Sequence, residues 1–135
     1  MRKENQHYSI EVEGVNVVIL ISSSFPTVIK KFAVLSAFVN KLSLREQEVI
    51  MNGTASTCQI RMKYGIPDRY YMLFKPIALT NHQYVAHEAF HLALRILGRT
   101  KIMAQEEKYA YLIQQIYEKI IIVFNQHKKN ENSRT

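Results

Sequence analysis

The sequence predicts an α+β fold, and three observations carry that prediction. Apolar residues alternate or run unbroken over short stretches at 8–21, 57–64 and 70–76, as strands require. They recur at three- and four-residue spacing at 25–42, 80–98 and 103–125, as helices require. The two kinds of segment interleave along 135 residues with no internal repeat and no linker, and 47% hydrophobic residues suffice for one core. The expected organisation is a single domain over residues 1–126, followed by a loose polar tail, "NQHKKNENSRT", that leaves 127–135 flexible.

From Tyr8 to Ile21, "SIEVEGVNV" alternates before the fully apolar "VVILI", which suits a strand entering the core of a sheet, with Gly14 marking a hairpin or a bulge. Ser24 and Pro26 open a first helix at 25–42, carried by Val28, Phe32, Leu35, Val39 and Leu42. Ser43 and Glu46 form a capping box for a short helix ending before Asn52-Gly53. Next, "TCQIRMKY" puts Cys58, Ile60, Met62 and Tyr64 on one face of a strand, and "GIPD" turns the chain into "RYYMLFKPIA". Pro76 there marks an edge position or a strand end. Thr80 and Asn81 cap the next helix, which Gly98 closes, and a last helix runs from about 103 to 125.

The longest apolar runs, "VVILI" and "IIIVF", fall far short of the ~20 residues that cross a bilayer. The basic N-terminus leads into mixed polar residues and not into an apolar block with a small-residue cleavage site, so the expected location is the cytoplasm. Cys58 is the one cysteine, which removes intramolecular disulfides and thiolate-rich metal sites and reads as a small buried hydrophobe. The net charge of +7 comes mostly from an acid-poor middle, because Lys and Arg are spread evenly. Without a Lys/Arg-rich block outside the tail, a nucleic-acid partner is disfavoured. The Tyr-rich "KYGIPDRYYMLFK" is the segment that could stack bases if that reading held.

Chemistry concentrates in "VAHEAFHLAL", residues 85–94. His87 and His91 are four apart, so a helix sets them on one face with about 6 Å of rise between them, suited to two imidazoles on one ion. Glu88 lies on the shoulder of that face, within reach of a water on the metal. Two His that fix zinc and a Glu that takes the water's proton are the physical content of an H-E-x-x-H pattern. The rest of the helix is Val, Ala, Phe and Leu, against which two imidazoles and a carboxylate without partners would cost roughly a few kcal/mol.

A catalytic zinc needs a third protein ligand and an open position. Leu92 to Gly98 contains no His, so the three-His extension of the motif is absent. Glu106 and Glu107, at the start of the last helix and just after the turn "GRTKI", remain, and spacing allows either.

The stretch "HEAFHLALRILG" followed by "EEKYAYLIQQI" resembles the zincin metallopeptidases of the glutamate-ligand type, and more specifically small zincin-like proteins of phages and mobile elements. The resemblance covers residues 84 to about 118 and rests on His87, Glu88 and His91, then Glu107, Ala110, Tyr111 and Leu112. It implies Glu107 as the third ligand, and a minimal zincin-like domain: a small twisted sheet, a first helix, an H-E-x-x-H helix and a glutamate-bearing C-terminal helix. It also implies a strand edge that pairs with an extended peptide substrate, which here would be residues 70–76.

The function expected from this is a zinc-dependent metallohydrolase acting on a peptide or protein. Glu88 is its general base and Zn2+ its cofactor, held by His87, His91 and Glu107. Tyr84 and Tyr111, with His82 behind them, are candidates to stabilise the oxyanion. The alternative is a non-catalytic zincin-like protein whose metal staples a small domain that binds a host or phage protein. A third reading is a basic module with no metal.

Overall fold

The computed structural model describes residues 7–98 and 105–132. Strands β1 (His7–Val12) and β2 (Val15–Ile21) pair antiparallel through a two-residue turn, with Val12 opposite Val15. Both turn residues have positive φ, Glu13 at 52° and Gly14 at 77°, which matches the right-handed strand twist of tight hairpins and explains the glycine. After Ile21 come α1 (Phe25–Ile29), α2 (Ala33–Asn40) and α3 (Leu44–Asn52), then β3 (Ala55–Ile60) and β4 (Arg69–Phe74). A short 3₁₀ turn at Pro76–Leu79 leads into α4 (Gln83–Leu97), and α5 (Glu106–Asn132) ends the described chain. The architecture is α+β, as the periodicities require.

The sheet order is β1-β2-β4-β3, with β2 and β4 parallel and β3 antiparallel to β4. Helices α4 and α5 cover one face, packing on Val17, Ile19, Ile21, Met72 and Phe74. Helices α1 to α3 cover the other, on Leu20, Cys58, Tyr71 and Leu73. Coverage on both sides is why "VVILI" and "YYMLF" read as unbroken apolar runs and not as alternation. Among the described residues, no helix is long and apolar enough to cross a membrane.

Five expectations need correction. The strand expected over 57–64 is β3, which ends at Ile60, and Tyr64 lies beyond it in a turn with φ 57° and 96% exposure. The periodic stretch 25–42 is two helices, because Lys31 and Phe32 donate three residues back, to Val28 and Ile29, and Phe32 turns extended. That break sets the Phe32 ring 6.0 Å from Tyr71 while Leu35 and Val39 keep their buried phase. Residues 70–76 do not offer a sheet edge: β4 is interior, hydrogen-bonded to β2 and β3, and the strand stops at Phe74, before Pro76. The first cap position of α4 is His82 and not Thr80 or Asn81. Finally, α5 continues through Asn132, with His127 buried and its Nδ1 2.9 Å from the Tyr8 hydroxyl, so most of the expected tail is helix docked on β1. The turn residues 99–102, the expected helix start at 103, and Ser133 to Thr135 lie outside the described residues.

Candidate metal and catalytic site

Helix α4 is amphipathic in the sense its sequence requires: Val85, Ala89, Leu92 and Ala93 are buried on the sheet, and His87 lies on the exposed side with His91 half-buried beside it. Gly98 ends the helix at φ 87°, and its N–H returns to the Leu94 carbonyl. On this frame the two imidazoles converge. His87 Nε2 and His91 Nε2 are 3.0 Å apart, with ring planes at 79°. Neutral imidazoles share one proton across such a gap, one ring donating and the other accepting. The same two nitrogens suit a tetrahedral ion, whose ligand nitrogens at Zn–N ~2.0–2.1 Å stand about 3.3 Å apart. In separation alone, the observed 3.0 Å lies within a few tenths of an ångström of that value.

Glu88 takes a different direction. It is 5% exposed, and its carboxylate Oε1 accepts a 2.6 Å hydrogen bond from the Thr57 hydroxyl on β3. The same hydroxyl stands 3.5 Å from the Glu88 backbone oxygen. Because the sheet order leaves β3 at the rim, this bond ties the helix that carries the histidines to the edge strand. The carboxylate is thus directed at β3, away from the exposed side of α4 that carries His87. Thr57 is the residue the sequence reading missed. It occupies the half-exposed side of β3, opposite Met72, and no local signal links it to a glutamate 31 positions later.

Neither Glu106 nor Glu107 groups with the pair among the described residues. Glu107 is exposed and lines an open pocket of about 320 Å³ with Leu97, Tyr111 and Glu13. Leu97 is six residues past His91, roughly 9 Å further along α4. Tyr111 is 73% exposed in that same pocket. Tyr84 is half-buried against the main core, and the His82 ring stacks edge-on at 6.4 Å from Tyr117. Glu106 is exposed in the first turn of α5. Among the described residues, no three His, Cys, Asp or Glu side chains are grouped to hold a metal ion.

Cys58 is buried on the α1–α3 side of the sheet, and burial pushes its thiol up to about 11, which suits packing and not nucleophilic attack. Tyr70 and Tyr71 are buried in β4, so the Tyr-rich segment does not present them for stacking on bases.

No protein-family model, curated protein or solved structure matches the chain.

Proposed function

We propose that the protein is a zinc-dependent metallohydrolase of the peptidase type, with His87 and His91 as metal ligands and Glu88 as the catalytic base. The observation that carries this reading is the convergence of two Nε2 atoms at 3.0 Å on the outer side of α4, with a buried carboxylate on the adjoining residue. A divalent ion held there would polarise a carbonyl and make a water acidic near neutral pH. Glu88 would accept the proton lost by that water and hand it to the departing amine. Thr57, donating to Glu88, is the positioning residue that fixes the carboxylate. Glu107 is assigned as the third ligand. That assignment requires its carboxylate to leave the pocket beside Leu97 and reach the histidine pair. Tyr84, one turn before His87 on α4, keeps the proposed oxyanion role, and Tyr111 keeps it only if the start of α5 moves with Glu107. The setting that goes with this reading is the cytoplasm, the host's for a phage-borne copy, and the substrate is a peptide or protein.

A second reading is favoured by a specific observation, that the Glu88 carboxylate already has a short bond to Thr57. On that reading the metal staples α4 to its neighbours, turnover is absent, and the domain binds a host or phage protein.

Zinc content per chain, measured on purified protein, tests the site. About one zinc is expected in the wild type and in Glu88→Gln, and little in His91→Ala. Hydrolysis of an unstructured protein such as casein then separates the readings, because the peptidase loses it in Glu88→Gln and the staple never shows it. Comparing Glu106→Ala with Glu107→Ala tests the third ligand. Zinc lost only from Glu106→Ala would overturn the assignment, and a zinc-free wild type would overturn the metal altogether.

A further inference from the structure

Tyr64 stands at the tip of the connection between β3 and β4, and neither the turn nor the packing of the chain calls for a tyrosine there. Residues 63–66 close a two-residue turn in which the Ile66 N–H donates to the Lys63 carbonyl at 3.3 Å, with φ 57° at Tyr64 and 77° at Gly65. Positive φ at both central positions is served best by Asn, Asp or Gly, and a bulky ring at the first of them is strained. Packing does not offset the strain, because the residue is 96% exposed. The connection is nevertheless fastened at its base, where Asp68 accepts from the Met62 N–H at 3.2 Å and from Gln59 Nε2 at 3.0 Å. Arg61, Lys63 and Arg69 are exposed along it, and Lys41 lines one depression with Arg61 and Met62. On the other side, an open depression of about 830 Å³ is bounded by Ile66, Asp68 and Arg69 and by Ser9, Asn16 and Val18 of the first two strands. Of the carboxylates near this end of the sheet, Asp68 is committed as above and Glu11 is exposed on β1, opposite Asn16. Glu13 and Glu107 line a separate depression beyond the β1–β2 turn, and Glu88 is bonded to Thr57 under α4, on the opposite face from Arg69 and Tyr71.

We propose that the Tyr64 turn and the depression beside it bind single-stranded nucleic acid, with one base stacked on the Tyr64 ring and phosphates on Arg61, Lys63 and Arg69. The neighbouring nucleotide lies in the depression, against Asn16 and Ser9. An exposed aromatic ring is a platform for any base, and cations beside it follow the phosphates. The bases must be unpaired, because a lone ring standing in solvent does not reach into a stacked duplex. The depression has the volume of a small-ligand site, and its Asn and Ser side chains offer hydrogen bonds to a base edge or a sugar. Cations from positions 41, 61, 63 and 69 make no block in the sequence; the fold gathers them, since Arg69 pairs with Ile60 beside Arg61. The overall charge of +7 adds attraction at longer range. An anionic bilayer is the poorer occupant, because a flat surface brought to Tyr64 also nears Glu13, and lipid chains cannot use the polar side of the depression. An acidic protein segment would satisfy the cations and leave the ring without a role. The proposal does not depend on chemistry at His87 and His91.

The test is fluorescence anisotropy with labelled oligothymidine and oligouridine strands of ~12 nucleotides, in about 50 mM salt with a chelator present. Saturable binding is expected below ~100 µM protein, with a log–log salt slope of about −2 from three phosphate contacts. Binding of either strand supports the site, and the tighter of the two identifies the sugar. Tyr64→Asn removes the ring and suits the turn, so Tm should hold or rise while binding weakens by about fivefold or more. Arg61→Gln with Arg69→Gln should weaken binding by about fivefold or more and bring the slope to about −1. Lys128→Gln with Lys129→Gln, the same charge change on α5, should weaken it by less than about twofold. If the arginine pair fails to fold, Tyr64→Asn, which alters no charge, decides alone. No binding at ~100 µM, or binding unchanged in Tyr64→Asn, would overturn the proposal. So would displacement by polyglutamate as effective as by unlabelled strand, or Tyr64-dependent binding to phosphatidylserine vesicles with none to the strands. Zinc content is read separately and is unaffected by any of these outcomes, so failure here is distinct from failure of the metal site.

Discussion

Replacing Thr57 by Val removes one hydroxyl from β3 and keeps the shape of the side chain. The oxygen it removes donates at 2.6 Å to a glutamate only 5% exposed, so water has little room to take its place. Hydrogen bonds to charged groups contribute about 1.5–3 kcal/mol, and leaving a buried acceptor unpaired forfeits that amount in full. The expected loss is about 2 kcal/mol, which lowers Tm by roughly 6–10 °C in a chain of this size. Glu88→Leu removes the other partner, and in Thr57→Val with Glu88→Leu no buried carboxylate is left orphaned. The double variant should therefore be more stable than the sum of the singles predicts, by about 1.5 kcal/mol or more. Urea unfolding of all four proteins in the presence of a chelator gives the cycle without a metal contribution. A Thr57→Val variant within ~0.5 kcal/mol of wild type, or a coupling of zero, would show that α4 does not depend on the edge strand through this bond. The positioning role given to Thr57 would then fall.

His127 links stability to pH. Burial lowers its pKa below the ordinary 6.5, with Glu131 acting weakly in the other direction, so between the two values the unfolded chain holds more protons than the folded one. Stability from this group is therefore complete above about pH 6.5 and falls as pH drops toward the folded value. His127→Gln should flatten the fall in urea midpoint between about pH 7.5 and about pH 5, and an unchanged slope would refute the assignment. Phe124 and Phe74 meet edge to face at 5.1 Å with neither exposed, joining α5 to β4. Phe124→Ala should cost about 3–5 kcal/mol in the same assay, and a cost below ~1.5 kcal/mol would mean that α5 is not seated on the sheet as described.

Local chemistry was legible in the residues themselves. Glu13-Gly14 sits where two positive φ values are needed, Ser43 and Glu46 close their capping box, and Gly98 ends α4, because each depends on neighbours within a few positions. The approach of His87 to His91 was legible for the same reason, since four residues on a helix bring two side chains to one face. Periodicity was a weaker guide where a short turn preserved its phase, as at Lys31 and Phe32.

What the sequence determined, then, was most of what spacing along one element fixes: the α+β class, the order of the main strands and helices, and which two imidazoles meet, though not where 25–42 breaks or how far α5 runs. Only the tertiary structure decided which strand is the edge, that Glu88 is held by Thr57 across 31 residues, and that Glu107 sits beside Leu97. Those relations depend on strand order and on the register of one helix against another. Both are set by the packing of the whole core, and no stretch of neighbouring residues encodes them.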